Sequence, residues 1–389
     1  MGRKGLSPAR MGAQKVDRGP HMPKRLSQLL PQKSERVLED LLPFGAHGDA
    51  SLPGVHVDSY NVELQQRGRF IGDQANKKAL SELLEARRAI ARKRGKDPLG
   101  NTATENFTKK KLEKILTRGE PAATVLVQAV LDDFAGRVVT VIRRFLKIPE
   151  WKKVQRIAIG GGFRAGRIGE LAIGRAQALL DSEKIAVELR AVRADPDDAG
   201  LIGAAYLAPA WIFRGYNGIL AVDIGGTNIR AGILRFKTPR GRALLKPKVI
   251  DSLIWEHADE DINRVEAVEE LVEMLRKLRK RTARDRFRLA PFIGIGCPGR
   301  VRADGSIDRG AQNLPGNWES KHFNLAAHLR KHVSIERGQE TIVIVHNDAV
   351  VQGLSELPAM RDVDHWAIMT IGTGLGNAKF TTRPLLRKG

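Results

Sequence analysis

The sequence predicts an α/β protein built from two domains with a cleft between them. Short apolar runs of strand length, such as residues 219–222, alternate with longer segments of helical period, such as residues 122–146. Sets of strands joined by helices are typical of α/β layers. The 389 residues, of which 42% are hydrophobic, can form two cores, since one domain commonly takes about 100–200 residues.

The predicted elements alternate along the chain after a loop-and-hairpin region that extends to about Phe70. Helical spacing of apolar residues predicts helices over 75–94, 109–116, 122–146, 167–180, 199–207 and 265–281. Strands are predicted near Ile157, Val187 and Ile250 and over 219–223 and 228–236, before two strand–helix units and a final hairpin.

The most informative segment is residues 218–234, GILAVDIGGTNIRAGIL. Its apolar start predicts a buried strand, and Gly225-Gly226 allows a turn whose backbone N–H groups face an anion. Asp223 stands at the strand end, where a carboxylate can hold a hydrated Mg²⁺. An ordinary glycine hairpin is the alternative for the two glycines alone. The Asp before them and the Thr-x-x-Arg after them favour a phosphate-binding turn.

This segment resembles the phosphate-1 motif, D-x-G-G-T-x-x-R, of the ROK (repressor, open reading frame, kinase) branch of the actin, hexokinase and heat-shock-ATPase superfamily. Four further segments are similar to motifs of that family and occur in its order. They are 294–300 (GIGCPGR), like its G-x-x-x-P-G strand, 313–318 (NLPGNW), like its sugar loop, 346–348 (HND), like its N-D pair, and 369–376 (MTIGTGLG), like its phosphate-2 turn. The resemblance implies a two-domain ribonuclease-H-like (actin-like ATPase) fold with a central cleft.

The order of the remaining segments differs from that of the family. Residues 156–162 (RIAIGGG) and 197–208 (DDAGLIGAAYLA) resemble the adenosine segment that closes ROK sequences, yet here they precede the phosphate-1 motif. We therefore interpret the chain as a circular permutant of the ROK fold, with residues 209–217 as the link. Two incomplete copies completed by swapping between chains are the alternative. The predicted division is a basic tail over 1–36, a larger domain over 37–198 and 341–389, and a smaller domain over 199–340.

The resemblance also implies residue roles for ATP- and Mg²⁺-dependent phosphoryl transfer. Asp348 would be the general base that accepts the proton of a sugar hydroxyl, although Asn-Asp before an apolar helix is also typical of an N-cap. The implied phosphate and nucleotide contacts are Asp223, Gly225, Gly226, Thr227, Asn228, Arg230, Gly372, Thr373, Gly374, Gly160, Gly161, Gly162, Gly203 and Ala204, with Asp223 also holding Mg²⁺ through water. The implied substrate contacts are Asn313, Asn347, His56, Pro298 and Gly299.

Several expected sugar and metal ligands of the family are replaced. In residues 45–56 (GAHGDASLPGVH), which resemble the loop G-x-x-G-x-A-G-E-x-G-H, Pro53 stands for the Glu and His56 is taken as the His. The family has a second acidic sugar ligand, and near its expected position the acidic residue in this chain is Asp73. The family's zinc loop needs three Cys, and the chain has one, Cys297, so zinc is not expected. In its strand turn, Cys297 is predicted to be a small buried hydrophobe.

Charge is the second unusual feature, with a formal net charge of +22. Residues 1–36 combine many Lys and Arg with Gly and Pro, which predicts a disordered tail, and further Lys and Arg follow over 77–94 and 109–114. A solvated surface is one reading, and attraction of nucleic acid or another polyanion is the other. The tail is too short for the winged helix of ROK repressors, so sequence-specific DNA binding is disfavoured. Homodimerisation is left open.

The sequence thus favours a cytoplasmic ROK-type sugar kinase that acts on a hexose, an amino sugar or a related hydroxyl substrate. A cytoplasmic location is expected from the single cysteine, and no membrane association is expected because the longest apolar run is too short. The alternative function is a non-catalytic sugar- or nucleotide-sensing protein whose basic regions bind a polyanion. Missing acidic sugar ligands and the high charge support that alternative.

Overall fold

The structure, a computed structural model, describes residues 46–237, 245–282 and 287–383. The predicted basic tail lies outside these residues. Within the described part, the helices are α1 (Lys77–Lys93), α2 (Lys109–Arg118), α3 (Pro121–Phe145), α4 (Gly166–Ser182), α5 (Ala199–Ala204), α6 (Arg264–Thr282), α7 (Leu325–His332) and α8 (Asp348–Leu354). The strands are β1 (Ser51–Leu52), β2 (Val55–Tyr60), β3 (Gln65–Gln66), β4 (Arg69–Phe70), β5 (Arg156–Gly160), β6 (Glu188–Ala191), β7 (Gly218–Ile224), β8 (Ile229–Arg235), β9 (Lys248–Trp255), β10 (Leu289–Cys297), β11 (Arg300–Val301), β12 (Ile307–Arg309), β13 (Ile342–Asn347), β14 (His365–Ile371) and β15 (Leu375–Thr382).

The two larger sheets have the same core arrangement, in which three antiparallel strands are extended by two parallel strands. In the five-stranded sheet, of order β13-β10-β7-β8-β9, strands β7, β8 and β9 form an antiparallel set and β10 and β13 extend it in parallel. In the six-stranded sheet, of order β1-β2-β15-β14-β5-β6, strands β14, β15 and β2 form the antiparallel set and β5 and β6 extend it in parallel. The mixed α/β class predicted from the sequence is confirmed.

Helices cover both sheets through three apolar cores. The outer face of the six-stranded sheet packs on α1 to α4, with Phe134, Ile142 and Ile157 fully buried there. The outer face of the five-stranded sheet packs on α6 and α7. Between the sheets lie α5 and α8, whose apolar residues belong to one core with side chains from both sheets. The strands β5, β7, β10 and β13 are buried because helices cover them on both sides, so they consist largely of apolar residues, whereas β9 has no fully buried residue.

The helices α5 and α8 touch backbone to backbone. A Cβ added at Gly203 would lie 1.7 Å from the carbonyl oxygen of Val351, and one added at Gly294 would lie 2.5 Å from the carbonyl oxygen of Ala204. Only glycine fits such contacts, since a methyl group would overlap the neighbouring backbone. These glycines therefore fix how closely the middle layer joins the two sheets.

The predicted helices and strands are confirmed within a few residues at each end, including the long helix α3 and the hairpin β7–β8. The predicted domain division differs in one respect: β13 pairs with β10 of the five-stranded sheet, although residues 341–389 were grouped with 37–198. All described residues belong to one compact unit. The two-domain division stays a prediction. None of the helices in the described part combines the length and apolar character that crossing a membrane requires.

Gly203→Ala should destabilise the protein strongly. The added methyl group would overlap the Val351 carbonyl, and overpacking of a rigid backbone contact costs about 3 kcal/mol of unfolding free energy. Gly174→Ala on α4 is the matched control, because its added Cβ would meet no atom within 4 Å and alanine favours a helix. Urea denaturation measures both variants. Equal stability of the two would contradict the close contact between α5 and α8.

Candidate active site

The turn between β7 and β8 is braced on several sides. Gly225 N–H donates to the Asn228 carbonyl at 2.9 Å, and Ala258 N–H donates to the Thr227 carbonyl at 3.2 Å. The His257 Nε2 atom lies 2.9 Å from the Gly225 carbonyl oxygen. Thr227 itself is exposed. The glycine turn predicted to receive phosphate is thus a well-braced loop at the end of the β7–β8 hairpin, in the interior of the five-stranded sheet's strand order.

The sugar-loop motif lies against this turn. A Cβ added at Gly226 would lie 3.1 Å from the Cβ of Asn313, which is exposed. Trp318 anchors the loop, because its ring is buried in the core of the five-stranded sheet and its Nε1–H donates to the Pro315 carbonyl at 2.8 Å. The structure therefore brings Asn313 to the phosphate-1 turn.

The acidic centre of the site is formed by Asp223 and Asp348. Asp223, at the end of β7, is 8% exposed, and Asp348 begins α8 and is partly exposed. Both strands that lead to these residues flank β10, and a Cβ added at Gly296 of β10 would lie 3.4 Å from Asp223 Oδ1 and 3.3 Å from the Val351 Cβ of α8. The missing side chain at Gly296 leaves room for the Asp223 carboxylate beside α8, the helix that Asp348 begins.

Burial first, and then the negative charge of Asp223, raise the pKa of Asp348 to about 6. Burial also raises the pKa of Asp223, while the charge of Arg230 opposes that rise. Cys297 is fully buried, as predicted for a small hydrophobe, and burial together with the same two carboxylates raises its pKa well above the usual value. A carboxylate with a pKa near 6 is suited to accept a proton at neutral pH.

The residue that caps α8 is Asn347, not Asp348. Its Oδ1 accepts from the N–H groups of Ala349 and Val350 at 3.0 and 3.3 Å, and its Nδ2 donates to the Gly299 carbonyl at 2.9 Å. Asn347 is 1% exposed. The prediction that Asn347 binds a sugar hydroxyl stays a prediction, and capping together with the Gly299 bond already engages its side chain. Asp348 Oδ1 accepts from the same Ala349 N–H at 2.8 Å, so one oxygen of its carboxylate also contacts the start of α8.

Arg230 lies beside the acidic pair but is held by another carboxylate. Its Nη2 donates to Asp197 Oδ1 at 2.6 Å, whereas its Nη1 is 3.9 Å from Asp223 Oδ2. The buried Nε of Arg230 has no hydrogen-bond partner among the described residues. One guanidinium therefore joins the segment before α5 to the phosphate-1 hairpin, with a donor still available.

The phosphate-2 turn lies beside the glycine loop that follows β5. Gly161, with φ +78°, is backed against Ile371, because an added Cβ would lie 2.5 Å from the Ile371 carbonyl oxygen. In the turn, Gly372 N–H donates to the Gly374 carbonyl at 3.0 Å. Added Cβ atoms at Gly162 or Gly374 would meet nothing within 4 Å, so both residues border open space. Thr373, which lies between Gly372 and Gly374 in the turn, is exposed.

Sequence reasoning missed three residues that hold these loops. Gln352 Oε1 accepts from Gly161 N–H at 2.8 Å, and a Cβ at Gly160 would lie 2.3 Å from the same oxygen. Gln352 is four residues after Asp348 on α8, so helical spacing could have indicated it. Lys109 Nζ donates to the carbonyls of Gly162 and Ala165, a contact between segments too distant in sequence to predict. His346 Nδ1 accepts from Asn347 N–H at 2.7 Å and orients the cap.

Three expected ligands lie elsewhere. Gly203 and Ala204 are buried where α5 meets α8 and β10, so they serve packing and do not border open space. His56 projects from the opposite side of β2 to Val55 and Val57, which pack into the core that contains α8, and its Nδ1 lies 3.0 Å from Arg383 Nη2.

The loop pattern, aligned without a gap, also puts His56 one residue away from the family's His. Placed on residues 45–56 without a gap, the loop pattern puts Leu52 at its Glu and Val55 at its His, and both are buried apolar residues. Gly299, with φ +94°, accepts the Asn347 amide, and Pro298 is partly exposed beside it. The strand end at residues 298–299 therefore positions the N-D pair.

Replacing Asp348 with Asn should stabilise the protein above pH 6. The folded-state pKa is raised from 3.8 to about 6, so ionisation of Asp348 costs stability once the pH rises through this window. Each pKa unit is worth about 1.4 kcal/mol, so we expect a gain of about 3 kcal/mol at pH 7.5 and almost none below pH 4. Urea denaturation at the two pH values measures it. Unchanged stability at pH 7.5 would contradict the strained ionisation of Asp348.

The comparisons with known proteins point to sugar kinases. No protein-family model matches the chain. A curated glucokinase of Thermotoga maritima is 27% identical over 168 residues, which cover 43% of this chain and 46% of the glucokinase. The chain thus spans about half the length of the curated relative it matches.

Solved structures give similar partial matches. A provisionally assigned N-acetylmannosamine kinase of Listeria monocytogenes is 26% identical with a TM-score of 0.31, over 44% of this chain and 50% of that chain. The hexokinase of Schistosoma mansoni in complex with glucose is 17% identical with a TM-score of 0.31, over 43% of this chain and 41% of that chain. The similarity to kinases therefore rests on low sequence identity over less than half of the chain.

Proposed function

We propose that this protein is an ATP- and Mg²⁺-dependent sugar kinase that phosphorylates a hexose, an amino sugar or a related hydroxyl substrate. One observation carries the proposal: α8 presents Asp348 beside Asp223 and the phosphate-1 hairpin, and through Gln352 the same helix holds the glycine loop next to the phosphate-2 turn. Similarity to a curated glucokinase supports it. Phosphoryl transfer needs cradled phosphates, an aligned hydroxyl and a base, and each has a candidate here.

The proposed reaction is an in-line transfer. The oxygen of a sugar hydroxyl attacks the γ-phosphorus while its proton moves to the Asp348 carboxylate. A new O–P bond forms, the bond from the γ-phosphorus to the bridging oxygen breaks, and ADP leaves with the bonding electrons. Asn313, beside Gly226, would contact the sugar, and the turns at 225–227 and 372–374 would contact the phosphates.

The residues present fit Mg²⁺ and ATP. Mg²⁺ is usually held by one or two carboxylates together with waters and substrate phosphates, and Asp223 at the end of β7 would supply a carboxylate for it. In residues 46–237, 245–282 and 287–383, no group of three or more His, Cys, Asp or Glu side chains could hold a metal ion. When bound, the cation would neutralise phosphate charge. The open space at Gly162 and Gly374 would admit the nucleotide.

We further propose that the chain is a circularly permuted ROK kinase. The five strands of one sheet follow in the chain as β7, β8, β9, β10 and β13, whereas the matching strands of the other sheet are β14, β15, β2, β5 and β6. In this second set, the end of β15 and the start of β2 are adjacent, because Arg383 N–H donates to the Gly54 carbonyl at 2.9 Å. This arrangement favours one rearranged unit over two incomplete copies.

Asp348→Asn should remove most sugar-kinase activity. Loss of a positioned general base costs about 10²–10⁴-fold in rate, because the attacking hydroxyl keeps its proton. A coupled ADP-release assay with a panel of hexoses and amino sugars measures kcat, and Asp362→Asn, at an exposed carboxylate paired with Arg156, is the control. Equal turnover by the parent and by Asp348→Asn would refute this role.

The activity of the parent should rise with pH through about 6. Asp348 must be ionised to accept a proton, and its pKa is raised to about 6. A profile of kcat/KM between pH 4.5 and 8 measures this limb. A rise centred near pH 4 would contradict it, because Asp348 would then behave as an ordinary exposed carboxyl.

The alternative of a non-catalytic polyanion-binding sensor makes the opposite prediction. It expects a salt-sensitive gel shift with nucleic acid and no sugar-dependent ADP release by the parent protein. The curated relative found by sequence is named as a glucokinase, so it lends this alternative no support.

A further inference from the structure

A polar cavity lies beside the β3–β4 hairpin, and Asp73, the acidic residue near the position of the family's second sugar ligand, is one of its lining residues. It has a volume of about 810 Å³ and is bordered by the β3–β4 hairpin, the first turns of α1 and the middle of α3. Four cationic side chains line it: Arg67, Arg69, Lys78 and Arg137. None of the residues proposed to act in phosphoryl transfer is among its walls.

The four cations form no ion pair with a described residue, although the carboxylates of Asp73 and Glu82 line the same cavity. Among the described residues, no side-chain hydrogen bond or ion pair joins Arg67, Arg69, Lys78 or Arg137 to another group. The same pair of helices can form ion pairs, since Arg87 of α1 holds Asp133 of α3 through two bonds of 2.6 Å. Unpaired like charges around one cavity repel each other, so an anion between them would lower the energy.

The start of α1 adds to this positive field. The helix begins Lys77-Lys78 and has no acidic residue in its first turn, although the N-terminal end of a helix already carries partial positive charge. Asn76 accepts from Ala79 N–H at 2.8 Å and supplies a neutral cap. The helix end and the arginines of the hairpin thus face the same cavity.

The cavity also holds groups that suit hydroxyls. Asp73 and Glu82 line it, and neither side chain makes a hydrogen bond with another described residue. Gln66 and Gln74 add amide donors and acceptors. Carboxylates and amides accept hydroxyl hydrogens, whereas arginines bind phosphate oxygens in pairs. A bare phosphate chain would gain nothing from the two carboxylates.

We propose that this cavity binds a phosphate monoester of a polyhydroxy compound, that is, a sugar phosphate. Arg69 and Arg137 would bind the phosphate, and Asp73 and Glu82 would accept hydrogens from hydroxyls. The cavity is connected to the phosphate-2 turn, since Lys77 N–H donates to the Gly372 carbonyl at 2.9 Å. Resting on the proposed kinase function, the site would let a phosphorylated product act back on the donor turn.

Binding can be measured without turnover, which separates this proposal from the kinase proposal. Isothermal titration of the full chain with glucose 6-phosphate, glucose and inorganic phosphate is compared between the parent, Arg69→Gln/Arg137→Gln, and Asp348→Asn. Loss of charge-assisted hydrogen bonds should weaken glucose 6-phosphate binding at this site at least tenfold in the double variant. Asp348→Asn should retain it. Arg143→Gln, also on α3 but paired with Glu183 outside the cavity, is the matched control.

Each outcome decides the proposal. Unaltered glucose 6-phosphate binding by the folded double variant overturns it, as does absence of binding by the parent. Equal affinity for inorganic phosphate and glucose 6-phosphate overturns the role of the hydroxyl-binding groups. Where kinase activity is present, glucose 6-phosphate should change the rate of the parent and leave the rate of the double variant unchanged.

Discussion

The close approach of α5 to its neighbours is the constraint on which the site depends. Gly203 lets α5 touch the backbone of α8, and a Cβ at Gly200 would lie 2.3 Å from the Asp223 carboxyl carbon. A short helix without side chains at two positions therefore contacts both the strand that carries Asp223 and the helix that carries Asp348. A larger residue at Gly203 would push α8 away from α5, and one at Gly200 would overlap the Asp223 carboxylate, so the packing of α5 sets the surroundings of both carboxylates.

Charge balance in the site follows from this packing. Two carboxylates with restricted access to water raise each other's energy, and Arg230 compensates only in part because Asp197 holds it. The folded protein thus keeps an unfavourable arrangement that a cation or a transferable proton would relieve. Such strained titratable pairs are concentrated at functional sites. Lys109 adds a positive charge at the glycine loop that follows β5, where its Nζ donates to the carbonyls of Gly162 and Ala165.

The sequence was most informative where a motif and a strand end coincide. The hairpin at Asp223, the turn at Gly372 and the helix at Asp348 lie where the patterns predicted, because glycine turns and apolar strands have strong local signals. It was least informative where a role depends on distant partners. Gly203 resembled a ligand-binding glycine but serves helix packing, and Asn347 is engaged by the Gly299 carbonyl, which no local pattern indicates. The expectation for His56 depended on the register of β2, because a shift of one residue along a strand turns a side chain to the other face of the sheet.

The most direct test of the account is a carboxyl-carbon NMR titration of Asp348 in the parent and in Asp223→Asn. If the two carboxylates share one buried site, the apparent pKa of Asp348 is about 6 in the parent and falls when Asp223 is neutral. A value near 3.8 in the parent that does not respond to Asp223→Asn would show that the two residues do not meet, and the proposed active site would be lost.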